Sequence, residues 1–315
     1  MKSAIAATAA FETPCEKPQL LSERLNYYKK KLATAVGLIH KRCVQSFHLL
    51  LTLNIYLKSI HVFRLPNIRC INRHRHMIAL KYLGKYLAGS FDYKCRGSIL
   101  LYHYSFINYH MSKYFMETIT KGQIVLWTTM VGSNIYTMSI DFHNFDNQGD
   151  LAVIFNMNGM EIYIAAFTFI KGITVSIDSD QVILVARVQG TKGTIDLIRQ
   201  ATKDLNDISP SAILVTSIQA IATALKIDNI AGITANEQID KYYMHTDKIF
   251  FNYDKLWISM GGDKVNEQVF RLPTKPHNKS IIMVKRNHRS RAKNKRQFKC
   301  HIYNEVIQSF QDNCL

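Results

Sequence analysis

The chain has 315 residues, 47% hydrophobic and 20% charged, with a formal net charge of +17. That composition is globular, and a chain this long buries about three quarters of its unfolded surface, so bulk disorder is excluded and no disulfide or metal is needed to hold a core. The six cysteines, at 15, 43, 70, 95, 300 and 314, form no Cys-x-x-Cys and no tight cluster, which argues for reduced thiols against a disulfide framework.

The charge is unevenly placed. From Arg24 to Phe91 there are 13 Lys and Arg and no acid, and from Gln268 to Asn304 there are 11 and again no acid. Between them, Glu117 to Glu267 holds 17 acids against 11 bases, a net of −6. Two readings stay open. Either the cationic ends dock in part on the acidic middle, or they meet an anionic partner such as RNA, acidic lipid or lipopolysaccharide. The opening MKSAIAATAAF imitates a signal peptide, but its short apolar run lacks Leu and Val. The most apolar helix candidate, Phe47 to Leu57, falls well short of the roughly 20 residues that a bilayer span needs. No transmembrane segment is expected, and the expected location is the cytoplasm, including the inner face of the membrane.

In chain order, residues 1–20 contain Pro14 and Pro18 without periodicity and read as a loose leader. Residues 21–120 read as a basic, aromatic-rich helical region. Leu25, Tyr28, Leu32, Val36 and Ile39 share one helical face, and a second helix is expected from Val44 to Phe63, stopped by Pro66. A basic connector, Arg69 to Arg75, leads to two further helical stripes, one with Leu80, Leu83 and Leu87. The other carries Leu100, Tyr104, Ile107, Met111 and Tyr114.

Residues 121–274 read as a mixed α/β sheet domain. Tyr136, Met138, Ile140 and Phe142 alternate with polar residues, and Asn158-Gly159 between two apolar runs is a strong hairpin signal. Val182 to Val188 adds a strand ending at Gly190. Ile195, Ile198, Thr202 and Leu205 then recur at helical spacing, and Ser209-Pro210 starts a second helix with one apolar stripe of Leu214, Ile218, Ile221 and Leu225. Short strands are expected at Asn229–Thr234 and Val269–Leu272. Residues 275–315 form a basic C-terminal segment, either a helix ending the fold or a mobile tail. The fold class is therefore α+β: a helical N-terminal region, then a mixed, mainly antiparallel sheet with flanking helices.

Four segments in order resemble the VirK/YbjX proteins of enterobacteria. They are His103-Tyr104, then Val188-Gln189-Gly190 with Leu197-Ile198-x-x-Ala201-Thr202-Lys203. Next comes Tyr253-Asp254-x-x-Trp257-x-x-x-Gly261-Gly262, and last Leu272-Pro273 before a basic run. Length and composition look most like the virulence-plasmid branch. Two segments depart from the family: Asn206 to Pro210 replaces a His-Gly-Leu-Arg-Pro-like stretch, and Gln148-Gly149-Asp150-Leu151 replaces a Glu-Gly-Glu-Leu-like strand start. The resemblance implies a role in virulence or in the state of the bacterial envelope, including production of surface virulence factors, with no reaction attached to it.

The strand order also resembles the core of GNAT acyltransferases, in which a strand-end loop and the following helix N-terminus hold a coenzyme A pyrophosphate. Here Arg187, Gln189, Gly190, Lys192 and Gly193 would form that loop, with the last small residue one place late. Tyr253 would then protonate the departing thiolate of acetyl or acyl coenzyme A. The plainer reading is a ligand-free glycine turn with Tyr253 in the core. A rival class is a cationic binding protein for RNA or anionic lipid, using Arg286, Arg289, Arg291, Lys293, Lys295 and Arg296 with Arg69, Arg73 and Arg75. A scaffold for a secreted virulence factor is a third. Gly-Thr-Lys-Gly-Thr lacks P-loop spacing, His74 and His76 alternate with arginines that would repel a cation, and Asp178 with Asp180 reads as a solvated turn.

Overall fold

The strands are β1 (Ile124–Val131), β2 (Asn134–Phe142), β3 (Leu151–Met157), β4 (Met160–Ile170), β5 (Val182–Gly190), β6 (Asn229–Ile233), β7 (Asp263–Lys264) and β8 (Val269–Leu272). They make one eight-stranded sheet in the order β1-β2-β3-β4-β5-β6-β8-β7. Every pairing is antiparallel except that of β5 with β6. The computed structural model describes residues 52–73, 78–142, 147–240, 252–278 and 280–315, with helical positions scattered between 26 and 50. The leader, His74, Arg75, His76 and most of the Tyr-rich stretch before Tyr253 lie outside the described residues.

Among the described residues from 52 onward, α1 (Leu53–Val62), α2 (Tyr93–His110) and α3 (Lys113–Ile119) precede the sheet. Two more, α4 (Ile195–Asp204) and α5 (Pro210–Ala224), carry the chain from β5 to β6, the long crossover that a parallel pair requires. Helix α6 (Tyr253–Ser259) comes before β7, and α7 (Arg289–Cys314) ends the chain. Residues 52–315 form one compact unit and residues 1–51 another, in which the described positions are helical and exposed.

Local signals set several boundaries. Asp92 caps α2 by accepting from the Cys95 N–H at 2.7 Å, and Ser112 caps α3 from the Phe115 N–H at 3.0 Å. Ser209 does the same for α5 through the Ala212 N–H at 3.3 Å, with Pro210 in the first turn. The β3–β4 hairpin turns on Asn158 and Gly159, both at positive φ (52° and 81°), as a type I′ turn demands.

Other expectations change. Leu80, Leu83 and Leu87 share no α-helix: Lys81–Leu83 is a single 3-10 turn, and Leu87 has φ 65°. Lys81 and Tyr86 turn inward there to reach a buried carboxylate, which a helix would not allow. The aromatic stripe continues to Met111 but then breaks, because α2 ends there and Ser112 restarts the chain, leaving Tyr114 63% exposed.

Alternation does not mark strand β1, since a bulge between Val125 and Trp127 interrupts its period. Helix α5 carries more than one apolar stripe. It is buried nearly all round, because β3, β4 and β5 lie against it on one flank and α7 on another. The C-terminal segment is a helix: Ile302, Tyr303, Val306, Phe310 and Cys314 are buried, and the Tyr303 and Thr223 hydroxyls meet at 2.6 Å.

Candidate functional site

Strand β5 outruns its parallel neighbour. Its pairing with β6 covers Val182–Val185 against Asn229–Gly232, whereas its pairing with β4 continues to Gly190 opposite Tyr163. A bulge at Ala186 falls where β5 and β6 part. Beyond it, while β4 still pairs on one side, the Val188 N–H of β5 meets a side chain and donates to the Tyr253 hydroxyl at 3.2 Å.

Helix α6 puts that tyrosine in place. Asn252 caps it by accepting from the Lys255 N–H at 2.9 Å, and Asp254 accepts from the Ala235 N–H at 2.8 Å. The Trp257 indole donates to the Ile233 carbonyl at 2.8 Å, and its ring lies over Gly232, where a Cβ would come within 2.5 Å of it. Gly261, at φ 83°, ends the helix, and the Gly262 N–H returns to the Trp257 carbonyl at 2.9 Å. The segment from Tyr253 to Gly262 is thus a clamp on the ends of β5 and β6. Burial raises the Tyr253 pKa, against the opposing pull of the Val188 amide and Arg187, so the phenol is protonated at neutral pH. Burial likewise pushes Tyr163 up to about 12.

The residues expected to form the loop sit together at this strand end. Arg187, Gln189 and Gly190 are half-buried, and Lys192 and Gly193 are exposed in the turn before α4. The turn is braced internally. The Thr191 N–H donates to the Ile162 carbonyl at 3.0 Å, its hydroxyl to Glu161 at 3.0 Å, and the Thr194 hydroxyl to the Thr191 carbonyl at 2.7 Å. Gly190 has a packing reason to be small, since a Cβ there would lie 2.8 Å from Ile198 Cδ1. Gly193, at φ 85°, would have open space around an added Cβ, so the backbone alone requires it. Chemically, the strand end offers a protonated phenol fixed by a main-chain amide, next to a guanidinium.

A second polar centre lies in the core. Asp150, just before β3, has Lys81 Nζ 3.2 Å from its Oδ1. The Tyr104 hydroxyl donates to the same oxygen at 3.2 Å, and the Thr168 hydroxyl to Oδ2 at 2.9 Å, where the Tyr86 hydroxyl also donates. Burial would raise the Asp150 pKa, but Lys81, His103 and the Tyr86 and Thr168 hydroxyls hold it below the ordinary value. His103, also fully buried, accepts the Phe169 N–H on Nδ1 at 3.1 Å, so Nε2 carries the hydrogen. That Nε2 has no hydrogen-bond partner among the described residues. Burial lowers the His103 pKa to about 4, with Asp150 pulling up and Lys81 pushing down. His103, Tyr104 and Asp150 stand out in the sequence through the segments that contain them. Lys81, Tyr86 and Thr168 do not, because nothing local distinguishes a lysine folded inward from a solvated one. All six are buried, and the centre ties residues 81–104 to the sheet.

The cationic residues do not form one patch of idle charge. Arg291 Nε donates to Asp207 at 2.7 Å, and Lys295 to the Asp207 carbonyl at 2.9 Å. Arg289 reaches the Ile282 and Val284 carbonyls at 3.1 and 3.0 Å. The basic end docks in part on the acidic middle, and Arg286 and Lys293 are exposed on the same segment. Arg69 is exposed in a separate 3-10 turn, Arg69–Arg73. Among the described residues, no helix is long and apolar enough to cross a membrane.

A family model described as "Protein of unknown function (DUF535)" matches residues 41–307. The chain is 22% identical over 228 residues to "Uncharacterized protein YbjX" of Escherichia coli (strain K12), covering 70% of this chain and 68% of that one. It is 31% identical over 111 residues to an uncharacterized protein of Haemophilus influenzae, covering 34% of this chain and 35% of that one. No solved structure matches the chain.

Proposed function

The chain belongs to the DUF535 family, and from its geometry we propose that it transfers an acyl group from acyl coenzyme A at the end of β5. The observation that carries this reading is the Val188–Tyr253 hydrogen bond, made where β5 has left β6. What supports this reading is a bulged strand whose parallel partner, reached by a helical crossover, parts from it before its end. In this reading Gln189, Gly190, Lys192 and Gly193 would lie along the donor, with Arg187 and Lys192 near its phosphates. An acceptor amine or hydroxyl would then attack the thioester carbonyl, and the C–S bond would break. The Tyr253 phenol would give its proton to the departing sulfur, and the proton released by the acceptor would restore the phenol. The relationship to YbjX agrees with the VirK/YbjX resemblance, and the reading places the acyl acceptor in the envelope or in a virulence factor made there.

Calorimetric titration with acetyl and longer acyl coenzyme A tests this. Binding with a matching thermal shift supports it, since a ligand at 100 times its Kd adds about 2.7 kcal/mol of stability. No heat and no shift with any chain length would sink it. The competing reading, RNA held by the C-terminal basic segment, has less behind it, because Arg289, Arg291 and Lys295 are engaged within the chain.

A further inference from the structure

Helix α1 shows leucines to solvent on a face that its own core does not use. Its inner side is committed: Ile55 packs so closely on Gly97 of α2 that a Cβ there would come within 2.7 Å of it, and Ser59 and Val62 are buried. On the opposite side Leu53 and Leu57 are 48% and 56% exposed. They alternate with Lys58 and His61, and Arg64 follows one turn later, all exposed. Between α1 and α2 lies a groove of about 450 Å³ lined by Leu57, Lys58, His61, Val62 and Leu101. Its floor is aliphatic and its rim cationic.

We infer that this face of α1 docks on an anionic phospholipid surface, with Leu53 and Leu57 entering the acyl boundary and Lys58 and Arg64 meeting the headgroups. Charge complementarity selects that occupant. The chain carries no acid from Arg24 to Phe91, so nothing nearby in sequence neutralises the rim. The aliphatic lining suits hydrocarbon, whereas RNA would call for aromatic platforms on which bases stack. Exposed leucines interleaved with lysine, histidine and arginine are what an interfacial helix presents. The inference stands apart from the acyl-transfer reading and uses none of its residues.

Co-sedimentation of the full chain with phosphatidylglycerol and with phosphatidylcholine vesicles tests it. The chain pellets with phosphatidylglycerol and stays in the supernatant with phosphatidylcholine, and added salt weakens the binding. Leu57→Asp lowers partitioning about tenfold or more, as loss of one buried leucine predicts. Lys58→Gln and Arg64→Gln each lower it about fivefold. Ile173→Asp, at an isoleucine 81% exposed in another turn, leaves it unchanged. Leu57→Trp gives a second measurement: its emission shifts to the blue on phosphatidylglycerol, while Trp127 and Trp257 are already buried. Equal binding to both lipids, a Leu57→Asp chain that binds like the parent, or binding abolished only by Arg286→Gln with Lys293→Gln would each overturn the inference.

Discussion

Lys81 Nζ lies 3.2 Å from Asp150 Oδ1, with side chains 6% and 0% exposed, so this ion pair joins an irregular turn to the start of β3 out of reach of water. Removing one partner leaves a buried charge uncompensated. Lys81→Met or Asp150→Ala alone is expected to cost about 3–5 kcal/mol, and the double substitution less than the sum. Urea unfolding of the two single variants and the double variant measures this. Additive losses would show that the two charges do not act as a pair.

The His103 pKa falls from 6.5 to about 4 in the folded chain. The sign follows from which state binds the proton. Below pH 6.5 the unfolded histidine takes up a proton that the folded one refuses, so this contribution is full above 6.5 and is lost as pH falls towards 4. The loss is on the order of 3 kcal/mol. Asp150, with a lowered pKa, adds a second loss at more acid pH, as the pH falls through its folded-state value. Denaturant midpoints from pH 7 to 4.5 should decline for the parent, and His103→Gln should flatten that decline.

Tyr253→Phe leaves the Val188 N–H buried with no hydroxyl to meet it. The expected cost is about 1–3 kcal/mol of stability. If the acyl-transfer reading holds, acyl coenzyme A still binds and turnover drops about 10²- to 10⁴-fold. Unchanged turnover would remove the tyrosine from the chemistry and leave it a clamp.

Gly232→Ala puts a methyl group about 2.5 Å from the Trp257 ring. Overpacking of this kind costs about 1–3 kcal/mol. A lowered melting point and altered Trp257 fluorescence would be seen together, because the ring must move off Ile233.

Arg291 and Asp207 pair in the open, with side chains 62% and 39% exposed. Arg291→Ala is therefore expected to change stability by less than about 1 kcal/mol, and less still in high salt. A larger loss in chemical denaturation would mean that the pair holds the turn between α4 and α5 in its left-handed geometry at Asn206 and Asp207.

The order from β2 to β6, and β8, was legible in the chain itself, because alternation, Asn158-Gly159 and Ser209-Pro210 are local rules that the backbone obeys wherever it sits. Strand β1, whose bulge breaks its period, was not, nor were α6 and the two-residue β7. Tyr253, Trp257 and the paired glycines stood out only as a motif of the resemblance; that they build a helix clamped on β5 and β6 did not. What tertiary structure alone decided was who stands opposite whom. Lys81 and Leu87 look like members of a helical stripe, yet a carboxylate 69 residues away from Lys81 draws the segment inward and breaks the period. Helix α5 reads as one stripe but is packed from more than one side. The basic tail could have been free or docked, and Asp207 settled it. These outcomes depend on burial, which sets the energy of a charge or a methyl group by what surrounds it, and no window of neighbouring residues contains that information.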